Sequence, residues 1–183
     1  MQNNIQLILA EIDSVLKQID ESETKQFIKE IRSAKKIVST GAGRVGMALR
    51  GFTMRLGHLG LSAHIVGDAT VPSVGAGDLL LVASGSGETQ TIVDLVTIAK
   101  KNGCRIALVT GNPSSRMGQL ADTIVRLSAP SKTKSIDGFV SLQPMTTLNE
   151  QCLGLLFDAI VLSMMEQMNE THDTMWARHS NLE

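Results

Sequence analysis

The chain has 183 residues, a formal net charge of -1 and 43% hydrophobic residues. That length predicts one domain with a core covered on both faces. Near neutrality removes the electrostatic case for nucleic acid or an anionic membrane, and one Trp, four Phe and no Tyr argue against a base-stacking platform.

Met1-Gln2-Asn3-Asn4 has no positive region leading into an apolar block, so no signal peptide is expected. Ile5, Ile8, Leu9, Ile12, Leu16 and Ile19 recur at helical spacing and predict a first amphipathic helix. Asp20-Glu21-Ser22-Glu23 interrupts it, with Ser22 as the expected cap of a second helix carrying Phe27, Ile28 and Ile31. Both helices precede any strand, and their expected task is to cover a sheet face or a subunit partner. Strands are predicted at 36–40, 63–66, 79–83, 105–110 and 123–127, separated by segments of helix length. This alternation gives an α/β fold: a doubly wound, five-stranded parallel sheet with helices on both faces. A flavodoxin-like order, 2-1-3-4-5, puts strands 1 and 3 side by side at the topological switch point.

A polar loop over 129–143, with Lys132 and Lys134, runs to Pro144. From about 149 to 168 follows a helix apolar on most sides, with Leu153, Leu156, Phe157, Ile160, Val161 and Met164 among its residues. Such a helix needs burial nearly all round, more than one sheet face provides, so a subunit interface is expected. Asp158 and Glu166 make its apolar stretch from 152 to 168 an unconvincing membrane span. A short terminal helix and tail complete 171–183. The single domain, 1–183, thus divides into N-terminal helices (1–34), α/β core (35–128), loop (129–143) and C-terminal helix with tail (144–183). Cys104 and Cys152, far apart and in apolar surroundings, read as buried free thiols suited to a reducing cytoplasm.

Two glycine turns carry the chemistry. Ser84-Gly85-Ser86-Gly87-Glu88-Thr89 joins the third strand to a helix. Glycines admit a close backbone approach, the helix start offers unpaired N–H groups, and three hydroxyls add donors without bulk. This is a phosphate cradle without the lysine a P-loop requires; its bland counterpart is a capped strand-to-helix turn. Gly41-x-Gly43-x-x-Gly46 follows the first strand and has the spacing of a dinucleotide fingerprint. Asp68, the nearest candidate for a ribose carboxylate, comes late, in a Gly/Pro/Ser loop. With both turns facing one crevice, and Arg44 on the first, a small phosphorylated polyol fits better than a dinucleotide.

Isomerising such a sugar needs a base. Glu150 stands where the polar loop becomes the apolar helix, between a cleft and a low-dielectric core. It suits that role, or equally that of a first-turn glutamate favoured by the helix dipole. His58 and His64, flanking the second strand, are expected to be structural or exposed. The four histidines show no pairing typical of metal ligands. His179 lies in a polar tail, and a catalytic use for it requires that the tail dock over a crevice, such as a neighbour's.

The turn 84–89 resembles the signature of sugar isomerase (SIS) domains. Further stretches are similar to the 6-phospho-3-hexuloisomerase family within it: 41–44, 54–60, 119–122, Gln143-Pro144-Met145, Glu150-Gln151 and the ending 179–183. The likeness spans essentially the whole chain. It implies interconversion of D-arabino-hex-3-ulose 6-phosphate and fructose 6-phosphate in the ribulose monophosphate route, without a cofactor, in a cytoplasmic homotetramer. By position it implies that Ser84, Ser86 and Thr89, on the turn with Gly85, hold the phosphate. Glu150 would move the proton through an enediol, and His179 of an adjacent subunit would shuttle hydroxyl protons or assist ring opening. Gly43 and Arg44 would contact substrate, and Arg55 would serve structural pairing. Four positions depart from that family's pattern: Val45 stands for a serine, Thr146 for a glycine, Asn149 for a phenylalanine and Asp68 for a glutamate. They leave open another phosphosugar isomerase, or a phosphosugar-binding module without turnover.

Overall fold

In the computed structural model, which describes residues 1–130 and 140–182, two helices, α1 (Gln2–Leu16) and α2 (Glu21–Ser33), lead into the sheet. There follow β1 (Ile37–Thr40), α3 (Gly43–His58), β2 (Ala63–Ile65), β3 (Leu79–Ala83), α4 (Gln90–Lys101) and β4 (Arg105–Thr110). The chain continues through α5 (Arg116–Leu120), β5 (Thr123–Arg126), α6 (Thr147–Met168) and α7 (His172–Trp176). Lys132, Lys134 and Glu183 lie outside the described residues.

The five strands pair in parallel, as the alternation of elements implies, in the flavodoxin-like order β2-β1-β3-β4-β5. Every residue of β3 is buried, because helices cover both faces and an unbroken apolar run is what such a strand requires. Alternation then divides its side chains. Leu79, Leu81 and Ala83 join the core under α1, α2, α3 and α6. Leu80 and Val82 join the opposite core with Ile92, Val93 and Val96 of α4 and Met117 of α5. Of the N-terminal helices, α2 packs on β5 and so covers a sheet face, one of the two tasks expected of them, while α1 packs on α6. The cap of α2 is Asp20 rather than Ser22: its carboxylate accepts the Ser22 and Glu23 backbone N–H groups, the first at 2.6 Å. Asp20 precedes the first helical turn and Ser22 already lies within it, so only the former has the extended backbone of a cap.

α6 reaches 22 residues, two more at its start than the sequence suggests. By length and composition alone it is long enough to cross a membrane; instead it packs into the core against α1, α2 and α3. Its burial within one chain is not complete, as Leu155 is 46% and Leu162 67% exposed. Phe157 stacks on Phe52 of α3 with ring centroids 4.3 Å apart and planes within 2°. That pair fixes α6 against α3, and with it the two helix starts that carry Glu150 and Arg44. Both cysteines are buried and free, and burial pushes the Cys152 thiol up to about 12, so it stays protonated at neutral pH.

Candidate active site

β1 and β3 lie side by side, with Thr40 in register with Val82, so their C-terminal ends deliver both glycine turns to one crevice. The N-terminus of α6 closes it. The result is a cavity of about 350 Å³ whose wall includes Gly43, Arg44, Ser84, Gly85, Ser86, Thr89 and Glu150. Seven of the eight residues the sequence nominates are thus brought together. The volume sits at the small end of ligand pockets, roughly 300–1,000 Å³, which suits a compact sugar phosphate. Asp68 is elsewhere, 3.5 Å from Arg50 in an ion pair.

The cradle is held from within. The Gly87 N–H donates to Ser84 Oγ at 3.1 Å and the Glu88 N–H to Ser86 Oγ at 3.2 Å. Each serine oxygen is used as an acceptor, which leaves the hydroxyl proton available to donate to an anion. Thr89 occupies the N-cap position of α4, yet its side chain makes no capping bond. Gly87 is obligatory: its φ is +66°, and a Cβ there would lie 1.9 Å from Ser115 Oγ. Glu88 turns outward and accepts from Arg116 Nε at 2.6 Å and from the Arg116 N–H at 2.9 Å. The Arg116 hydrogen bonds hold its carboxyl below the usual carboxylate range. Its role is to tie the turn to α5, not to face the ligand.

Removing the Ser86 hydroxyl takes one donor from the cradle. For Ser86→Ala we expect affinity for fructose 6-phosphate to fall about tenfold to a hundredfold, since a bond to a charged group contributes roughly 1.5–3 kcal/mol. Isothermal titration checks this, and unchanged affinity would mean the phosphate sits elsewhere.

Glu150 is anchored at both oxygens. Arg44 Nη1 lies 3.0 Å from Oε2, and Thr146 Oγ1 donates to Oε1 at 2.8 Å. The carboxylate side chain is 13% exposed and the arginine 58%. Arg44 also donates to Thr147 Oγ1 at 3.3 Å, so it joins the first glycine turn to the start of α6. The setting of Glu150 is therefore polar on the cavity side, with an ionised partner that the sequence did not associate with it. Met145 adds a second unanticipated feature: it lines the cavity with φ +56°, a conformation costing about 1–3 kcal/mol in a non-glycine residue. That turn swings Thr146 and Glu150 over the crevice. The approach to it is clamped by Glu11 of α1, which accepts from Leu142 N–H and Ser141 Oγ, each at 2.8 Å, and from Gln143 Nε2 at 2.9 Å. Burial pushes the Glu11 carboxyl up, but those three bonds outweigh it and hold it below its ordinary value.

His179 does not line its own chain's cavity. Its ring lies 5.2 Å from His58 and 4.9 Å from Trp176, beside Arg178, which donates to the His58 carbonyl and to Glu170. His58 is buried and within 3.2 Å of Arg55, the structural pairing expected of that arginine. His64, half-buried, meets Ser62 at 3.1 Å. Among the described residues no group of three or more His, Cys, Asp or Glu is arranged to hold a metal ion.

Thr146, Thr147 and Asn149 also line the cavity, beside the apolar Ala42, Val45 and Ala83. For Val45, Thr146 and Asn149 the sequence offered one signal, their departure from the family's pattern. A family model for the SIS domain matches residues 30–153. The chain is 39% identical over 176 residues to 3-hexulose-6-phosphate isomerase of Bacillus subtilis, an alignment covering 96% of this chain and 95% of that one. It is 39% identical over 181 residues to the enzyme of the same name from Mycobacterium gastri, covering 99% and 90% respectively. Among solved structures, a Methanococcus jannaschii protein inferred to be a 3-hexulose-6-phosphate isomerase has a TM-score of 0.86 at 28% identity, with 99% of each chain covered.

Proposed function

The chain belongs to the SIS domain family, and on that premise we propose that it interconverts D-arabino-hex-3-ulose 6-phosphate and fructose 6-phosphate. One observation carries this reading: the same small cavity holds a hydroxyl-lined glycine turn and an anchored carboxylate. The names borne by relatives at 39% identity over nearly the whole chain support it.

In this reading Ser84, Ser86 and Thr89, with the backbone of Gly85 and the start of α4, hold the phosphate. Glu150 removes the proton from C3 of fructose 6-phosphate and returns it to C2, through an enediol. Charge grows on the sugar oxygen as the proton leaves, and the Arg44 guanidinium stands beside the base to stabilise it. The substrate is oxidised at one carbon and reduced at its neighbour. No external electron acceptor is required, so a cofactor-independent reaction is consistent with the chemistry. His179 would move hydroxyl protons in a neighbouring subunit, which makes assembly part of the proposal. Exposed apolar side chains about two helical turns apart support self-association: Met47 and Met54 on α3, Leu155 and Leu162 on α6. A homotetramer in the cytoplasm, serving the ribulose monophosphate route, completes the reading; sedimentation as a monomer at micromolar concentration would contradict the assembly.

Incubation with fructose 6-phosphate in deuterium oxide tests the chemistry. Carbon NMR should show a second ketose with its carbonyl at C3, and deuterium at C2 or C3 wherever the base exchanges with solvent. Saturable binding with neither product nor label would instead identify a phosphosugar sensor.

A further inference from the structure

Most polar side chains in the cavity wall are already committed to the protein. Ser84 and Ser86 accept backbone N–H groups, Arg44 and Thr146 hold Glu150, and Thr147 donates to the Pro144 carbonyl. Asn149 is the exception that burial makes costly. It lines the cavity, is only 3% exposed, and its Nδ2 has no hydrogen-bond partner among the described residues. A buried amide without an acceptor destabilises the free protein, whereas an apolar side chain of the same size would not. The position thus carries a polar group for which the folded chain alone has no use.

We propose that Asn149 is a specificity residue of this cavity, its carboxamide hydrogen-bonding to a sugar oxygen of the bound phosphosugar. The inference rests on the isomerase reading above and adds to it a contact that neither the cradle nor the base supplies. Asn149 and Glu150 are consecutive on α6, so their side chains leave the helix about 100° apart. Asn149 therefore reaches a different part of the ligand from the carbon that Glu150 deprotonates. A carboxamide both donates and accepts, which matches a hydroxyl or carbonyl oxygen of a polyol and not an apolar substituent. This amide selects for an oxygen at one place on the chain of the sugar. It acts by reading the substrate, not by moving its proton.

The test is Asn149→Leu, which keeps the size and removes the amide. Thermal unfolding of the free variant should occur at the wild-type temperature or above it, because an unpaired buried donor is gone. Its Kd for fructose 6-phosphate should rise about 5–10-fold, the worth of one neutral hydrogen bond. Affinity for inorganic phosphate, measured in the same titrations, should not change. These opposite movements of stability and affinity separate a ligand contact from a packing role. Asn149→Ala, which removes the amide without adding bulk or charge, should lose as much affinity for the sugar phosphate with none for inorganic phosphate, and it serves where the leucine variant does not fold. Unchanged sugar-phosphate affinity would overturn the proposal, as would an equal loss for inorganic phosphate, which would mark a disturbed cradle. Failure of the wild-type chain to bind fructose 6-phosphate at all would overturn the isomerase reading itself, and with it the ligand this residue is proposed to read.

Discussion

Replacing Glu150 by glutamine is expected to lower turnover of hex-3-ulose 6-phosphate by about 10²–10⁴-fold, the range that a positioned general base supplies. The substitution keeps the shape and the acceptor that faces Thr146, so the N-terminus of α6 should stay in place. It removes the negative charge opposite Arg44. Because that arginine is more than half exposed, solvent takes up its charge and the folded state should lose little. Binding of fructose 6-phosphate, which depends on the cradle, should survive. The loss should therefore appear in kcat and not in Kd, the signature of an interaction made only as the proton moves. Turnover within a few-fold of wild type would end the assignment of Glu150 as base.

The second large effect is structural. Phe157→Ala should destabilise the chain by about 3–5 kcal/mol, the usual consequence of emptying a buried aromatic site. For a domain of this length that corresponds to a fall of roughly 6–20 °C in Tm. Phe157 is 2% exposed and stacked on Phe52, which is 3% exposed, so the loss includes both burial and an aromatic pair. The pair also joins α3 to α6, whose starts present Arg44 and Glu150. Turnover measured well below the new Tm should then fall further than the folded fraction requires. A Tm change under about 2 °C would show that the contact between the two helices carries little of the fold.

Much of this arrangement was legible in the sequence, for a physical reason. A parallel sheet covered on both faces needs continuous apolar runs, and 79–83 and 106–109 are such runs, each with a glycine two residues beyond its end. Their parallel pairing follows from the alternation of strands with helix-length segments, and the order β2-β1-β3-β4-β5 is the flavodoxin-like one of the two common doubly wound orders. The cradle was legible because its glycines and hydroxyls are consecutive. The pairing of Arg44 with Glu150 was not, because the two residues are separated by almost the entire α/β core and meet only after α6 folds back across the sheet. The left-handed turn at Met145 was hidden in a residue type that rarely adopts it. Capping by Asp20 in place of Ser22 turned on where the helix backbone begins, a distinction of two residues that composition does not resolve. The apolar excess of α6 pointed beyond one chain, and the exposed Leu155 and Leu162 are where that excess surfaces. His179 belongs to the same question, since its own chain places it against His58 and Trp176 and away from the cavity.

The central claim is that one cavity binds a phosphosugar and moves a proton along it. Its most direct test is turnover of hex-3-ulose 6-phosphate by the purified wild-type chain, coupled through fructose 6-phosphate and glucose 6-phosphate to NADPH formation. The account predicts steady NADPH production proportional to the amount of chain added, without metal or other cofactor supplied to it. A folded chain that binds fructose 6-phosphate yet gives no NADPH above the uncatalysed rate would contradict it.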